Sequence, residues 1–302
     1  MSERTVLTEG AAMEPVVTVG LDGSPESLAA ARWAADEAAE RGIALRLLHA
    51  WPQLVPEPTR VPAETDQNAW ARHLVRSTRT ELQERHPNLS VVEALVADDA
   101  QNALLQAASD AGSEMVVLGS RGLEPVESYF LGDVSMPVVV RSVRPVVLVR
   151  ARGTEQEPPS RAPSPGVVVA LKLPGSSDDL LDFAFRTAAA RGVALLAVHG
   201  KRVPLPADVP LAADADEPMT RQARNELDAA LRPWREKYPR VSATGSVRLT
   251  GPAEAVVRAA EGAVLLVVGR RRHRLGMAPR LGPVAQAAVH HGRCPVAVVP
   301  HD

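Results

Sequence analysis

Cysteine is nearly missing from these 302 residues. Cys294 stands alone, so no intrachain disulfide can form and a zinc site of four cysteines is excluded. A reducing compartment, hence a cytoplasmic location, is the expectation. Aromatic residues are scarce, with three Phe and two Tyr, which leaves Val, Leu and Ala to fill the interior. No run approaches the roughly 18 apolar residues a membrane span needs. The opening stretch "MSERTVLTEGAAMEP" has no apolar segment behind basic residues, so neither a leader nor a membrane partner is expected. Charge of one sign is also lacking. The formal net charge is −2, which gives no overall drive toward nucleic acid or anionic lipid, and any basic surface must be local.

What is present is a repeat. "RGIALRLLHA" (41–50) falls on "RGVALLAVHG" (191–200), an offset of 150 residues. The same offset carries Gly119 to Gly269, Arg121 to Arg271, Gly132 to Gly282 and Pro145-Val146 to Pro295-Val296. A chain of this length predicts two domains. The repeat sets them at 1–150 and 166–302, joined by a Pro-, Ser- and Glu-rich linker over 151–165.

Within the first copy, Val-rich runs alternate with helical patterns. Strands are predicted over 15–20, 44–50, 90–97, 115–119 and 145–150, with helices over 25–41, 64–86, 100–111 and 133–142. Ser24 before Pro25 reads as an N-cap with proline at the first helical position, and Gly42 as the glycine that ends the helix. Strands that are continuously apolar are buried on both faces. Their alternation with helices predicts an α/β fold: two tandem doubly wound domains, each with a five-stranded parallel sheet flanked by helices and related by internal duplication. Ligands of such sheets bind beyond the carboxyl ends of the strands, at the switch in strand order. The turns to inspect are "VGLDGS" (19–24) and "VVLGSRGLEPVESYFLGDVS" (116–135).

Those two stretches resemble the universal stress proteins, in the tandem form common in actinobacteria. Nucleotide-binding members of that family carry an aspartate after strand one. After strand four they carry Gly, two residues, Gly, nine residues, Gly, then Ser or Thr. Here Asp22 occupies the first position, and Gly119, Gly122 and Gly132 keep both spacings. The resemblance implies ATP or a related nucleotide as ligand. Asp22 would face the ribose or adenine side and the backbone at Ala50 would lie near adenine. Gly119, Gly122 and Gly132 would let backbone approach phosphate, with Ser120, Arg121, Val134 and Ser135 completing the lining.

Asp133 departs from the pattern, standing where the family has Ser or Thr. A carboxylate about 4 Å from a phosphate costs on the order of 4 kcal/mol at an effective dielectric of 20, roughly a thousandfold in affinity. Arg121 or a bridging magnesium ion would offset that. Otherwise Asp133 caps its own helix and closes the site.

The second copy departs further. Lys172 replaces the aspartate, Arg272 the second glycine and Pro283 the final hydroxyl residue, so the usual nucleotide geometry is expected to be lost there. The segment "GRRRHRLGMAPRLG" (269–282) is basic and reads as a solvated loop, a site for an anionic ligand, or a nucleic-acid contact. The last is disfavoured because no aromatic residue is interleaved for stacking.

Other constellations are weaker. His49 and His199 at equivalent strand ends read as structural. "HHGRC" (290–294) places adjacent histidines on a helix end pointing apart, so no metal is expected. No lysine follows the glycines as in a P-loop, and neither a dinucleotide fingerprint nor a nucleophile elbow is present. The expectation is a non-enzymatic stress-response protein that binds a nucleotide in its first domain and acts on unidentified protein partners. The rival reading is a ligand-free scaffold closed by Asp133; a third, an adenine-nucleotide hydrolase relative, lacks a visible reactive group. The resemblance also implies that the last strands of the two copies pair into a pseudo-dimer within the chain, and a homodimer of whole chains is compatible with it.

Overall fold

A computed structural model of the chain describes residues 14–51, 67–120, 134–151, 164, 166–175, 177–202, 217–272 and 280–302. The first half runs β1 (Val16–Gly20), α1 (Pro25–Arg41), β2 (Ala44–Ala50), α2 (Gln67–Arg85), β3 (Val91–Val96), α3 (Ala100–Ser109), β4 (Ser113–Ser120), α4 (Ser135–Arg141) and β5 (Val146–Arg150). The second runs β6 (Val167–Ala170), α5 (Asp178–Arg191), β7 (Leu195–Gly200), α6 (Glu217–Lys237), β8 (Ala243–Arg248), α7 (Pro252–Ala259), β9 (Leu265–Arg271), α8 (Pro283–His291) and β10 (Val296–His301).

Local chemistry sets these boundaries. The Ser24 hydroxyl accepts the Ser27 N–H at 3.1 Å and Pro25 follows it, which satisfies a donor the first turn leaves open. Gly42 and Gly192 end α1 and α5 at φ of 65° and 62°, the left-handed conformation glycine adopts without penalty. Ala30, Ala31, Ala34, Ala35 and Ala38 are fully buried, so α1 lies close on the sheet. Three details differ from the sequence reading. The fourth strand is longer at both ends, because its flanking Ser113 and Ser120 still pair in the ladder. The duplication is displaced by two residues at the third strands, since Leu45 pairs with Val91 but Leu195 with Ala243. The third strand is shorter by one residue at each end than the predicted 90–97.

The ten strands form one sheet in the order β3-β2-β1-β4-β5-β10-β9-β6-β7-β8. Each half is parallel, with its switch between β1 and β4 or between β6 and β9. The halves join where β5 and β10 pair antiparallel, Val146 opposite Val298 and Leu148 opposite Val296. The expected pairing of the last strands is therefore present, and it leaves neither of those edges exposed. Alternate residues of the strands feed two apolar layers. Val117 and Val147 pack toward α1, α2, α5 and α6, while Val116 and Leu148 pack toward α3, α4, α7 and α8. Each layer runs through both halves.

Polar groups bind the halves together as well. Glu37 is fully buried and takes Arg41 Nε at 2.6 Å and, from the other half, Arg191 Nε at 2.7 Å. Arg41 lies over the Phe183 ring and Arg191 over the Trp33 ring, so each half stacks its arginine on the other's aromatic residue. At the opposite face, Arg150 Nη2 donates to the carbonyls of Val289 and His290 at the end of α8, at 2.9 and 2.7 Å. Arg270 Nη2 donates to the carbonyl of Ser142, just past α4. Both arginines bring positive charge to a helix carboxyl end, where carbonyls lack partners and the dipole is negative. Burial pulls both guanidinium pKa values down from their ordinary range.

Candidate functional site

At the switch point of the first half, β1 ends in a turn that feeds α1. Asp22 is exposed there, and its Oδ1 accepts the Ser24 N–H at 2.9 Å and the Ser24 hydroxyl at 2.5 Å. The same hydroxyl caps α1 through Ser27. One carboxylate oxygen of Asp22 thus holds the turn in shape. Ala50 closes β2 opposite Val96 and is half-buried. Gly119 and Ser120 end β4, the serine buried at 4% exposure. Ser135 opens α4 and its hydroxyl donates to the Gly119 carbonyl at 3.4 Å; Val134 precedes it without a side-chain cap. These six expected residues gather at the carboxyl ends of β1, β2 and β4. Arg121, Gly122, Gly132 and Asp133 lie outside the described residues, as does the first residue of the helix predicted over 133–142.

Gly119 also has a packing role. Its φ is not in the left-handed region, and it sits within the β4 ladder opposite Val149. A Cβ there would lie 2.6 Å from the Glu26 carbonyl carbon and 2.7 Å from the Ser27 nitrogen. The absence of a side chain makes room for the backbone of α1.

Three aromatic rings that the sequence reading did not assign to the site complete it. His49 stacks on Trp51 with centroids 5.8 Å apart and meets Trp70 edge-on at 5.4 Å. The Trp70 ring packs over Gly23, where a Cβ would come within 3.0 Å of it, yet Trp70 remains 52% exposed. An indole with that much open surface beside the Asp22 turn presents a flat apolar face of the kind on which planar rings stack. The available signal was Trp51 next to Ala50; Trp70 lies in an amphipathic helix, and only the fold brings it over Gly23. His49 has the structural role expected of it, since its Nδ1 donates to the Leu21 carbonyl at 2.8 Å; His199 repeats this with Leu171 at 3.0 Å.

The second half is built differently at the same level. α5 begins at Asp178, whereas α1 begins at Pro25, so it lacks about three residues at its start. A cavity of about 870 Å³ lies between the ends of β6, β7, β9 and β10 and the starts of α5, α7 and α8. Lys172 lines it. Pro283 takes the first position of α8 after Gly282, where a missing N–H has no consequence. Arg272 Nη1 lies 3.3 Å from both Asp179 and Asp302. The basic segment is therefore divided. Arg270 and Arg271 belong to β9, Arg270 being buried against the other half and not in a surface loop. Arg274 lies outside the described residues.

Cys294 is buried, and desolvation pushes its thiol pKa up to about 11, which leaves it an inert core group. Among the described residues no cluster of three or more His, Cys, Asp or Glu is arranged to hold a metal ion. No described helix is long and apolar enough to cross a membrane.

Comparison with known proteins agrees with this architecture. The sequence profile of the universal stress protein family matches residues 15–150 and again 166–300. Universal stress protein Rv2005c of Mycobacterium tuberculosis is 32% identical over 290 residues, which cover 93% of this chain and 96% of that one. Rv2623 of the same organism is 31% identical over 291 residues, covering 93% and 95%. A universal stress protein from Archaeoglobus fulgidus shares the fold, with a TM-score of 0.62 at 16% identity over 95% of this chain and 98% of that structure. The chain belongs to the universal stress protein family and carries two of its units in tandem.

Proposed function

We propose that the chain is a non-enzymatic stress-response protein whose first half binds ATP or a related adenine nucleotide and, when loaded, changes its engagement of protein partners. The observation that carries this reading is the ring platform of His49, Trp51 and Trp70 beside Asp22 and Ala50. An adenine base stacks on such rings for about 1–3 kcal/mol, and a carboxylate at the end of β1 accepts hydrogen bonds from ribose hydroxyls. The base and sugar end of a nucleotide thus fits the described residues. In this reading Ser120, Arg121, Gly122, Gly132, Val134 and Ser135 would line the phosphates, and Asp133 would help hold a magnesium ion. Magnesium would supply the positive charge that lets a carboxylate and a polyphosphate share one site.

The test is titration of the full chain with ATP and with AMP, with and without magnesium, read by tryptophan fluorescence and calorimetry. Saturable quenching is expected, and Trp70→Ala should weaken binding about tenfold or more while circular dichroism stays unchanged. Asp133→Ser should strengthen ATP binding in the absence of magnesium. If neither the wild type nor Asp133→Ser binds any nucleotide, the reading fails and the ligand-free scaffold replaces it.

A further inference from the structure

The cavity of the second half is large enough for a ligand of its own, since sites for small molecules typically occupy about 300–1,000 Å³. Its lining differs in kind from the first site. Lys201 follows Gly200 where Trp51 follows Ala50, and Lys172 stands in place of Asp22. α6 turns Gln222, Ala223 and Glu226 toward the cavity, whereas α2 turns Trp70 toward Gly23. Apart from His199 and His301, no described residue of the lining carries an aromatic ring. The stacking surface and the ribose acceptor are both replaced, so the base and sugar of an adenine nucleotide lack here the partners proposed for them in the first half.

What replaces them forms a consistent pair of features. Leu171, Leu180, Val256, Leu281 and Val284 form an aliphatic wall, with Leu171, Leu180 and Val256 at most 5% exposed. Lys172, Lys201, Arg202, Arg271 and Arg280 also line the cavity, and all but the half-buried Lys201 are exposed at its mouth. The acidic residues of the described lining are Glu226 and Asp302, and Asp302 is already held by Arg272. A second observation points inward. Ser177 lines the cavity at 8% exposure, and its side chain does not cap α5. The corresponding Ser27 of the first half, 150 residues earlier, donates to the Ser24 carbonyl at 3.0 Å.

We propose that this cavity binds an aliphatic anion, a hydrocarbon chain ending in a carboxylate or phosphate. The chain lies along the leucine and valine wall and the head group meets the cationic mouth, where it is drawn by Lys172 and its neighbours. Apolar burial drives binding and the charges select the head group.

The full chain is titrated by calorimetry with decanoate and decyl phosphate, which distinguish the two head groups, and with decanol, inorganic phosphate and ATP. One equivalent of decanoate or decyl phosphate should bind saturably, with decanol and inorganic phosphate each at least about tenfold weaker. Lys172→Glu, a change at an exposed position, should weaken both anions about tenfold, and Val284→Trp should abolish binding by filling the wall. Trp70→Ala in the first half should leave binding unchanged, which separates this site from the nucleotide reading. The proposal is overturned if neither anion saturates, if decanol binds as tightly as decanoate, if Lys172→Glu changes nothing, or if ATP displaces decanoate.

Discussion

At the scale of the residue, glycine illustrates how one motif position serves two ends. Gly119 keeps the spacing of a phosphate cradle, yet its missing Cβ is what admits the first turn of α1. Gly119→Ala would press a methyl group onto backbone atoms at 2.6 and 2.7 Å, and backbone cannot rotate away as a side chain can. Overpacking of this kind costs about 1–3 kcal/mol, so the urea midpoint should fall with the slope unchanged. A variant at Gly119 that fails to bind nucleotide would therefore report a displaced helix as readily as a lost phosphate contact. Gly282 offers the contrast. A Cβ there meets nothing within 4 Å and its φ is −69°, so Gly282→Ala should lower the same midpoint less, by no more than the preference for glycine over alanine at a helix N-cap.

At the scale of the element, what could be read from sequence was whatever is decided locally. The Ser24-Pro25 start and the Gly42 stop of α1 depend on residues a few positions apart, and both stand in the structure as expected. The Trp70 platform and the arginine caps depend on partners far along the chain. Arg150 reaches carbonyls 139 and 140 residues away, a relation that no periodicity encodes. The cap on α8 has a pH consequence. His290 beside it has its pKa lowered by burial first, then by His291 and Arg150. A histidine with a lowered folded pKa takes up its proton more readily in the unfolded chain. Stability from this group is complete above the unfolded value near 6.5 and is lost as pH falls from there toward the folded value. His290→Gln should flatten the fall in melting temperature on acidification below about pH 6.5, with little change at pH 8. An unaltered pH profile in the variant would show that His290 is solvated like a free histidine.

At the scale of the whole molecule, two copies of one unit have become a single sheet with a private seam. In a dimer of identical chains, the residue facing its own copy across the two-fold must serve both sides alike. Here position 37 is glutamate and its counterpart 187 is threonine, so one buried carboxylate answers arginines from both halves and Thr187 takes a further bond from Arg41 at 2.8 Å. Fusion of the copies into one chain permits that division of labour, because the two positions no longer share a codon. The arrangement predicts strong coupling. Glu37→Ala leaves two arginines buried together without a counter-charge, and breaking a buried ion pair by removing one partner costs about 3–5 kcal/mol. Replacing the whole group, as in Arg41→Met, Glu37→Leu and Arg191→Met combined, removes the charges along with their desolvation penalty and should recover most of that loss. Urea unfolding of the single and triple variants is the measurement. A single variant as stable as the wild type would mean that water reaches the seam. A triple variant no better than the single would mean that the arginines hold the halves through their stacking on Trp33 and Phe183 and not through charge.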